Sequence, residues 1–195
     1  MKIKKLIPVM MALCVGTAVF SGCGSYSKEY AELNAKLDLN YSQVVLTVTN
    51  DFGEGAVLTS EYTMKFSDGS MTVNYGIERF SELSIDSTAP AKTKLVGEAV
   101  IADGKVSYVQ GEEANLDVVK SGVGINFKES YFKNVELTGM YLKADIKNPS
   151  GFMGSELSCT EMKVYATFLE IFYKIEITYR AETGNFVEYL YVFSL

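Results

Sequence analysis

The stretch Glu61-Tyr62-Thr63-Met64-Lys65-Phe66-Ser67-Asp68-Gly69-Ser70-Met71-Thr72-Val73-Asn74-Tyr75 decides the fold class of this chain. Its centre, Asp68-Gly69, suits the positive φ angles of a type I′ hairpin turn. Pairing outward from that turn sets Phe66 against Met71, Met64 against Val73 and Tyr62 against Tyr75. All six side chains are apolar or aromatic, and all fall on one face, because side chains in a strand alternate with period two. Turn chemistry and hydrophobic period therefore predict the same antiparallel register.

The same reading extends in both directions. Asp103-Gly104 sets Ile101 against Val106 and Ala99 against Tyr108. Near the C-terminus a three-residue loop, Glu182-Thr183-Gly184, pairs Tyr179 with Val187, Ile177 with Tyr189, and Ile175 with Tyr191. Upstream, Val44, Leu46 and Val48 alternate with Gln43, Thr47 and Thr49, and the alternation resumes in Leu58, Tyr62 and Met64 after the Asp51-Phe52-Gly53-Glu54-Gly55 loop. Before these strands, Tyr26, Tyr30, Leu33 and Leu37 recur at helical spacing and predict one short helix over Ser27–Leu37, with Ser27 as N-cap and Glu29 near the positive end of its dipole. Residues 112–121 could hold a further helical turn or two, with Leu116 and Val119 inward. Residues 162–179 contain no Gly, Pro, Asn or Asp to turn them, and read as one long bent strand; a helical start to that segment is the alternative. Its second half places Ile171, Tyr173, Ile175, Ile177 and Tyr179 on one side. The expected fold is mainly β: a single curved antiparallel sheet, a half-barrel-like meander, with a short N-terminal helix and room for one more.

The N-terminus carries a different message. Lys2, Lys4 and Lys5 precede an apolar run over residues 6–20, the charge order of a secretory signal peptide. The run ends at Phe20-Ser21-Gly22-Cys23, which resembles a lipobox, with Phe20 where an aliphatic residue is usual. That resemblance implies cleavage before Cys23, attachment of diacylglycerol to its thiol, and a bacterial lipoprotein. An uncleaved membrane helix is the competing reading; the run is short, contains Pro8 and lacks a positive flank on its far side. The expected organisation is a signal peptide over 1–22, a lipidated tether over 23–27 and one β-rich extracytoplasmic domain over 28–195. In an envelope with two membranes, Gly24 in place of an inner-membrane retention aspartate implies the outer membrane.

Composition excludes several functions. Of 18 basic and 24 acidic residues, the signal peptide removes three basic and no acidic ones, so the formal charge falls from −6 to −9. Such a body repels nucleic acid, and only Arg79 and Arg180 are arginines. The chain has no histidine, so Ser-His-Asp and Cys-His catalysis and histidine zinc sites are impossible. With Cys14 in the signal peptide and Cys23 acylated, Cys159 stands alone and reads as a small half-buried residue. Ser25-Tyr26-Ser27-Lys28 matches a Ser-x-x-Lys string without its companion motifs, and Gly122-Val123-Gly124 is a loop break with Phe127 where a third glycine would stand. Glu112, Glu113 and Asp117, and Asp51 with Glu54, read as solvated loop carboxylates. No cofactor, metal site or catalytic residue is expected.

What remains is an apolar face drawn from distant hairpins: Leu58, Tyr62, Met64, Val73, Tyr75, Ile175, Ile177, Tyr189 and Tyr191. It is either ordinary core or the lining of a pocket for an acyl chain or another lipid. The order of elements, a helix, then a meander with a short Asp-Gly hairpin, then a closing strand pair, resembles the LolA-like and LppX-like half-barrel proteins. That resemblance implies a concave apolar surface capped by helices and a carrier or sensor of lipid; it carries over no functional residue. Two functions follow: a non-catalytic lipoprotein held to the membrane through Cys23 that binds a hydrophobic ligand, or a surface-anchored structural or interaction module with a closed core.

Overall fold

The computed structural model describes residues 26–81 and 91–195. Helix α1 spans Ser27–Leu37 and buries Tyr30 and Leu33. Ten strands follow: β1 (Gln43–Asp51), β2 (Ala56–Ser67), β3 (Ser70–Ser81), β4 (Ala91–Ala102), β5 (Lys105–Gly111), β6 (Phe132–Leu137), β7 (Tyr141–Ile146), β8 (Cys159–Phe168), β9 (Phe172–Ala181) and β10 (Phe186–Ser194). They form one open, curved antiparallel sheet in the order β5-β4-β3-β2-β1-β10-β9-β8-β7-β6. The first and last strands of the meander, β1 and β10, meet at its centre, so two five-stranded runs join into one surface.

Every pairing expected from the three hairpins is present. Phe66, Met64 and Tyr62 oppose Met71, Val73 and Tyr75. Ile101 and Ala99 oppose Val106 and Tyr108, and Tyr179, Ile177 and Ile175 oppose Val187, Tyr189 and Tyr191. Asp103 and Gly104 both take positive φ, as a type I′ turn requires, whereas at Asp68-Gly69 only the glycine does. The Asp68 turn thus keeps the expected length and register with a different backbone.

Four further expectations are corrected. Residues 162–179 are not one strand: β8 and β9 form a hairpin around Leu169, Glu170 and Ile171. This turn is held from outside itself. The Lys36 ammonium donates to the carbonyls of Leu169 and Glu170 at 2.9 and 3.1 Å, and the Phe172 N–H, next to a bulge at Tyr173, donates to the Tyr41 hydroxyl at 3.1 Å. The bulge shifts the phase, so Phe172 is buried and Tyr173 is 51% exposed, off the face where alternation puts it. Residues 112–121 contain turns but no helix, although Leu116 and Val119 do point inward; the second helix is α2, Pro149–Met153, with the Asn148 side chain capping Gly151 N–H. Finally, Ser27 is not the N-cap of α1. Tyr26 holds that position without a side-chain cap, and the cap comes from Glu129, whose carboxylate accepts from Tyr26 N–H at 3.4 Å and Ser27 Oγ at 2.9 Å. A carboxylate there favours the positive end of the helix dipole.

Both edges of the sheet are blunted. Val109 bulges out of β5, and β6 bulges at Asn134 and Val135, with Asn134 at φ 52°. Bulges at an edge discourage further strand pairing.

Candidate functional site

The nine residues of the apolar array do lie on one face of one sheet. β1 and β10 bridge them: Leu46 stands between Tyr62 and Tyr191, and Val48 between Ser60 and Tyr189. Tyr62, Met64, Val73, Tyr75, Ile175, Ile177 and Tyr191 are buried, and Leu58 and Tyr189 are half-buried. The expected lipid-attachment residue, Cys23, lies outside the described residues, as do the signal peptide over 1–22 and residues 23–25 of the tether.

What covers this face comes from irregular chain. The segment between β5 and β6 crosses the concave side and contributes Leu116, Val119, Ile125 and Phe127, all buried. Phe127 is the centre of an aromatic cluster. Its ring stacks on Phe132 and Phe172 at centroid distances of 6.1 and 5.8 Å and meets Phe152 edge-on at 5.6 Å. Tyr30 of α1 stacks on Phe132 at 5.1 Å, which ties the helix to the same cluster. The backbone of Phe127 is fixed by Asn34, whose side chain donates to its carbonyl at 2.7 Å and accepts from its N–H at 2.8 Å. Asn34 thus replaces the ladder partner that this stretch of chain lacks. The hydrophobic period signalled neither, because Phe127 stands in a segment without a repeat and Asn34 is a polar residue outside the apolar stripe of α1; the pair is legible only once α1 lies over the sheet.

Grooves mark the surface of the described residues, and the array lines none of the following three beyond Tyr75. One of about 530 Å³ runs between α1 and residues 127–130, beside Tyr30, Ala31 and Asn34. A second, about 420 Å³, opens on the convex face where Gly76 carries no side chain, among Glu61, Asn74, Lys94 and Glu98. A third, about 570 Å³, lies on the convex face across β6 to β9. Its lining includes Asn134, Lys143, Asp145 and Tyr165. Among the described residues no group of three or more His, Cys, Asp or Glu is placed to hold a metal ion.

Burial governs the titratable groups of the concave side. Burial pushes the Tyr191 hydroxyl well above its ordinary range, with Tyr189 adding to the shift. Burial does the same to Tyr30, reinforced by the Glu129 carboxylate, and to Tyr179, reinforced by Tyr189. The Cys159 thiol is also raised, by burial and by Glu182. A raised tyrosine pKa favours the folded state fully below the unfolded value of about 10 and loses that advantage as pH climbs toward the folded value. Stability should therefore fall above pH ~10, by about 1.4 kcal/mol per pH unit for a tyrosine as protected as Tyr191. Circular dichroism and tyrosinate absorbance followed together should show these hydroxyls ionising only as the sheet unfolds. Ionisation of all thirteen tyrosines in a still-folded protein would contradict it.

No family model matches this chain, and no curated protein matches it. Among solved structures it is similar to a dehydratase domain from the CurF module of curacin polyketide synthase, at 12% identity over 92% of this chain and 84% of that one, with a TM-score of 0.23. It is also similar to an N-terminal dehydratase from the difficidin assembly line, at 8% identity over 87% and 82% of the two chains, with a TM-score of 0.16. Scores this low leave the likeness without weight for fold or chemistry.

Proposed function

We propose that this chain is a non-catalytic bacterial lipoprotein, anchored outside the cytoplasm through lipid on Cys23, whose body is a closed-core interaction module. In an envelope with two membranes the outer membrane is its place. The anchor rests on Lys2, Lys4, Lys5 and the Phe20-Ser21-Gly22-Cys23 junction. Among the described residues no helix is long and apolar enough to cross a membrane.

The observation that favours the module over the lipid carrier is the filled concave face. A carrier needs an apolar cavity of several hundred Å³ lined by the array. Instead Met64, Val73, Ile175 and Ile177 are completely buried, and Phe127, Phe132, Phe152 and Tyr30 occupy the space above the sheet. Organic extraction of the purified protein should release no lipid in stoichiometric amount, and a fluorescent fatty acid should show no saturable binding. Recovery of about one lipid per chain would return the array to the role of a ligand pocket.

A further inference from the structure

We propose that the convex groove across β6 to β9 binds a neutral glycan segment. The inference deepens the reading of the body as an interaction module and rests on it.

The groove combines ring surface with fixed polar groups. Tyr165 is 40% exposed, and its ring lies 6.0 Å from that of Tyr141 at an angle of 35°. Tyr165, which lines the groove with Tyr141 beside it, therefore offers ring surface of the kind on which the C–H face of a pyranose packs. Around it stand donors and acceptors held in place by their neighbours. The Tyr141 hydroxyl donates to Glu136. The Asn134 amide donates to Asp145 at 2.6 Å, and the β6 bulge, with Asn134 at positive φ, sets that residue at the groove's margin. Lys143 and Thr178 complete the lining.

Charge decides the ligand class. Lys163 is paired with Glu161 at 2.7 Å and Glu176 with Lys174 at 2.8 Å, while Asp145 and Glu136 are hydrogen-bonded as above. Two lysines, Lys143 and Lys163, face three carboxylates, Glu136, Asp145 and Glu176, along the lining, so the groove presents many hydrogen-bonding atoms and no excess of positive charge. That arrangement suits a polyhydroxylated neutral ligand and gives a phosphate or carboxylate no unbalanced cationic clamp. A peptide is the poorer occupant: β7, β8 and β9 are interior strands whose backbone groups are already paired, and the edge strand β6 is broken by its bulge at Asn134 and Val135, which disfavours strand addition. The other convex groove, around Gly76, has no exposed ring pair and serves as the control.

The test uses the full-length protein purified in detergent. Cellohexaose, maltoheptaose, chitohexaose and mannohexaose are titrated by calorimetry, with polygalacturonate as the anionic comparison. At least one neutral oligosaccharide should bind saturably with little dependence on salt. Tyr165→Ala should weaken it by about tenfold or more, a change of about 1.4 kcal/mol. Tyr165→Phe should keep most of the affinity, and Asn74→Ala in the other groove should leave it unchanged. Tyr165 is on the surface, so circular dichroism should report an unaltered fold in each variant. Silence with all four neutral sugars, binding that Tyr165→Ala does not change, or salt-sensitive binding of polygalacturonate alone would each overturn the glycan assignment. The module reading fails separately, through recovery of stoichiometric lipid in the extraction, so the two failures are told apart.

Discussion

Phe127→Ala should cost about 3–5 kcal/mol of folding free energy, the usual range for truncating a buried aromatic side chain. The expectation follows from its position: it is 2% exposed and meets three other phenylalanines, from β6, α2 and β9. A ring removed from the middle of such a cluster leaves a cavity that its stacked neighbours cannot close without tilting away from their own partners. The loss is large against a total stability of about 5–15 kcal/mol. It should be read from urea denaturation as a lower midpoint at nearly constant slope. The same substitution separates the two readings of the concave face. In a plugged core the variant is simply less stable. If the cluster were instead a displaceable cap over a lipid pocket, the variant would gain saturable fatty-acid binding while staying folded, and a loss under about 1 kcal/mol with gained binding would refute the closed core.

Asn34 and Phe127 also mark the limit of what sequence can tell about this fold. Strand register was readable because three turns and a period-two pattern gave the same answer at Asp68-Gly69, Asp103-Gly104 and Glu182-Thr183-Gly184, so that Ile177 against Tyr189 followed from local chemistry alone. The α1 stripe was readable for the same reason. The β8–β9 turn was not, because Leu169, Glu170 and Ile171 have no turn preference of their own; Lys36 and Tyr41, more than 120 residues earlier in the chain, supply its hydrogen bonds. Tertiary contacts there override the local signal. The candidate face was readable as a face and unreadable as core or pocket, since that distinction depends on Leu116, Val119, Ile125 and Phe127 in a segment with no period. Tyr141 and Tyr165 escaped for the opposite reason: on a half-exposed strand an outward tyrosine looks like ordinary alternation until its neighbour on the next strand lands beside it.

Cys23→Ala should abolish lipid attachment completely, leaving no acylated N-terminus and a chain that keeps residues 1–22. The thiol is the acceptor on which the proposed processing depends, and Ala offers no nucleophile for the diacylglycerol. The body should fold as before, because the first buried side chain after the tether is Tyr30. The anchor also has a geometric consequence. Glu129 holds the start of α1 against the 3-10 turn Glu129–Tyr131, and Cys23 is three residues before Tyr26, a reach of at most about 11 Å. Lipid on Cys23, as proposed, would therefore keep the α1 N-terminal end of the domain beside the bilayer, with Lys36 at the helix's other end about 14 Å farther along its axis at 1.5 Å per residue. Mass spectrometry of the membrane fraction reads the outcome: a wild-type chain beginning at an acylated Cys23, and a variant carrying no acyl mass and an uncut N-terminus. A Cys23→Ala protein still cleaved after Gly22 and still bound to membranes would show that something other than this cysteine holds the domain there.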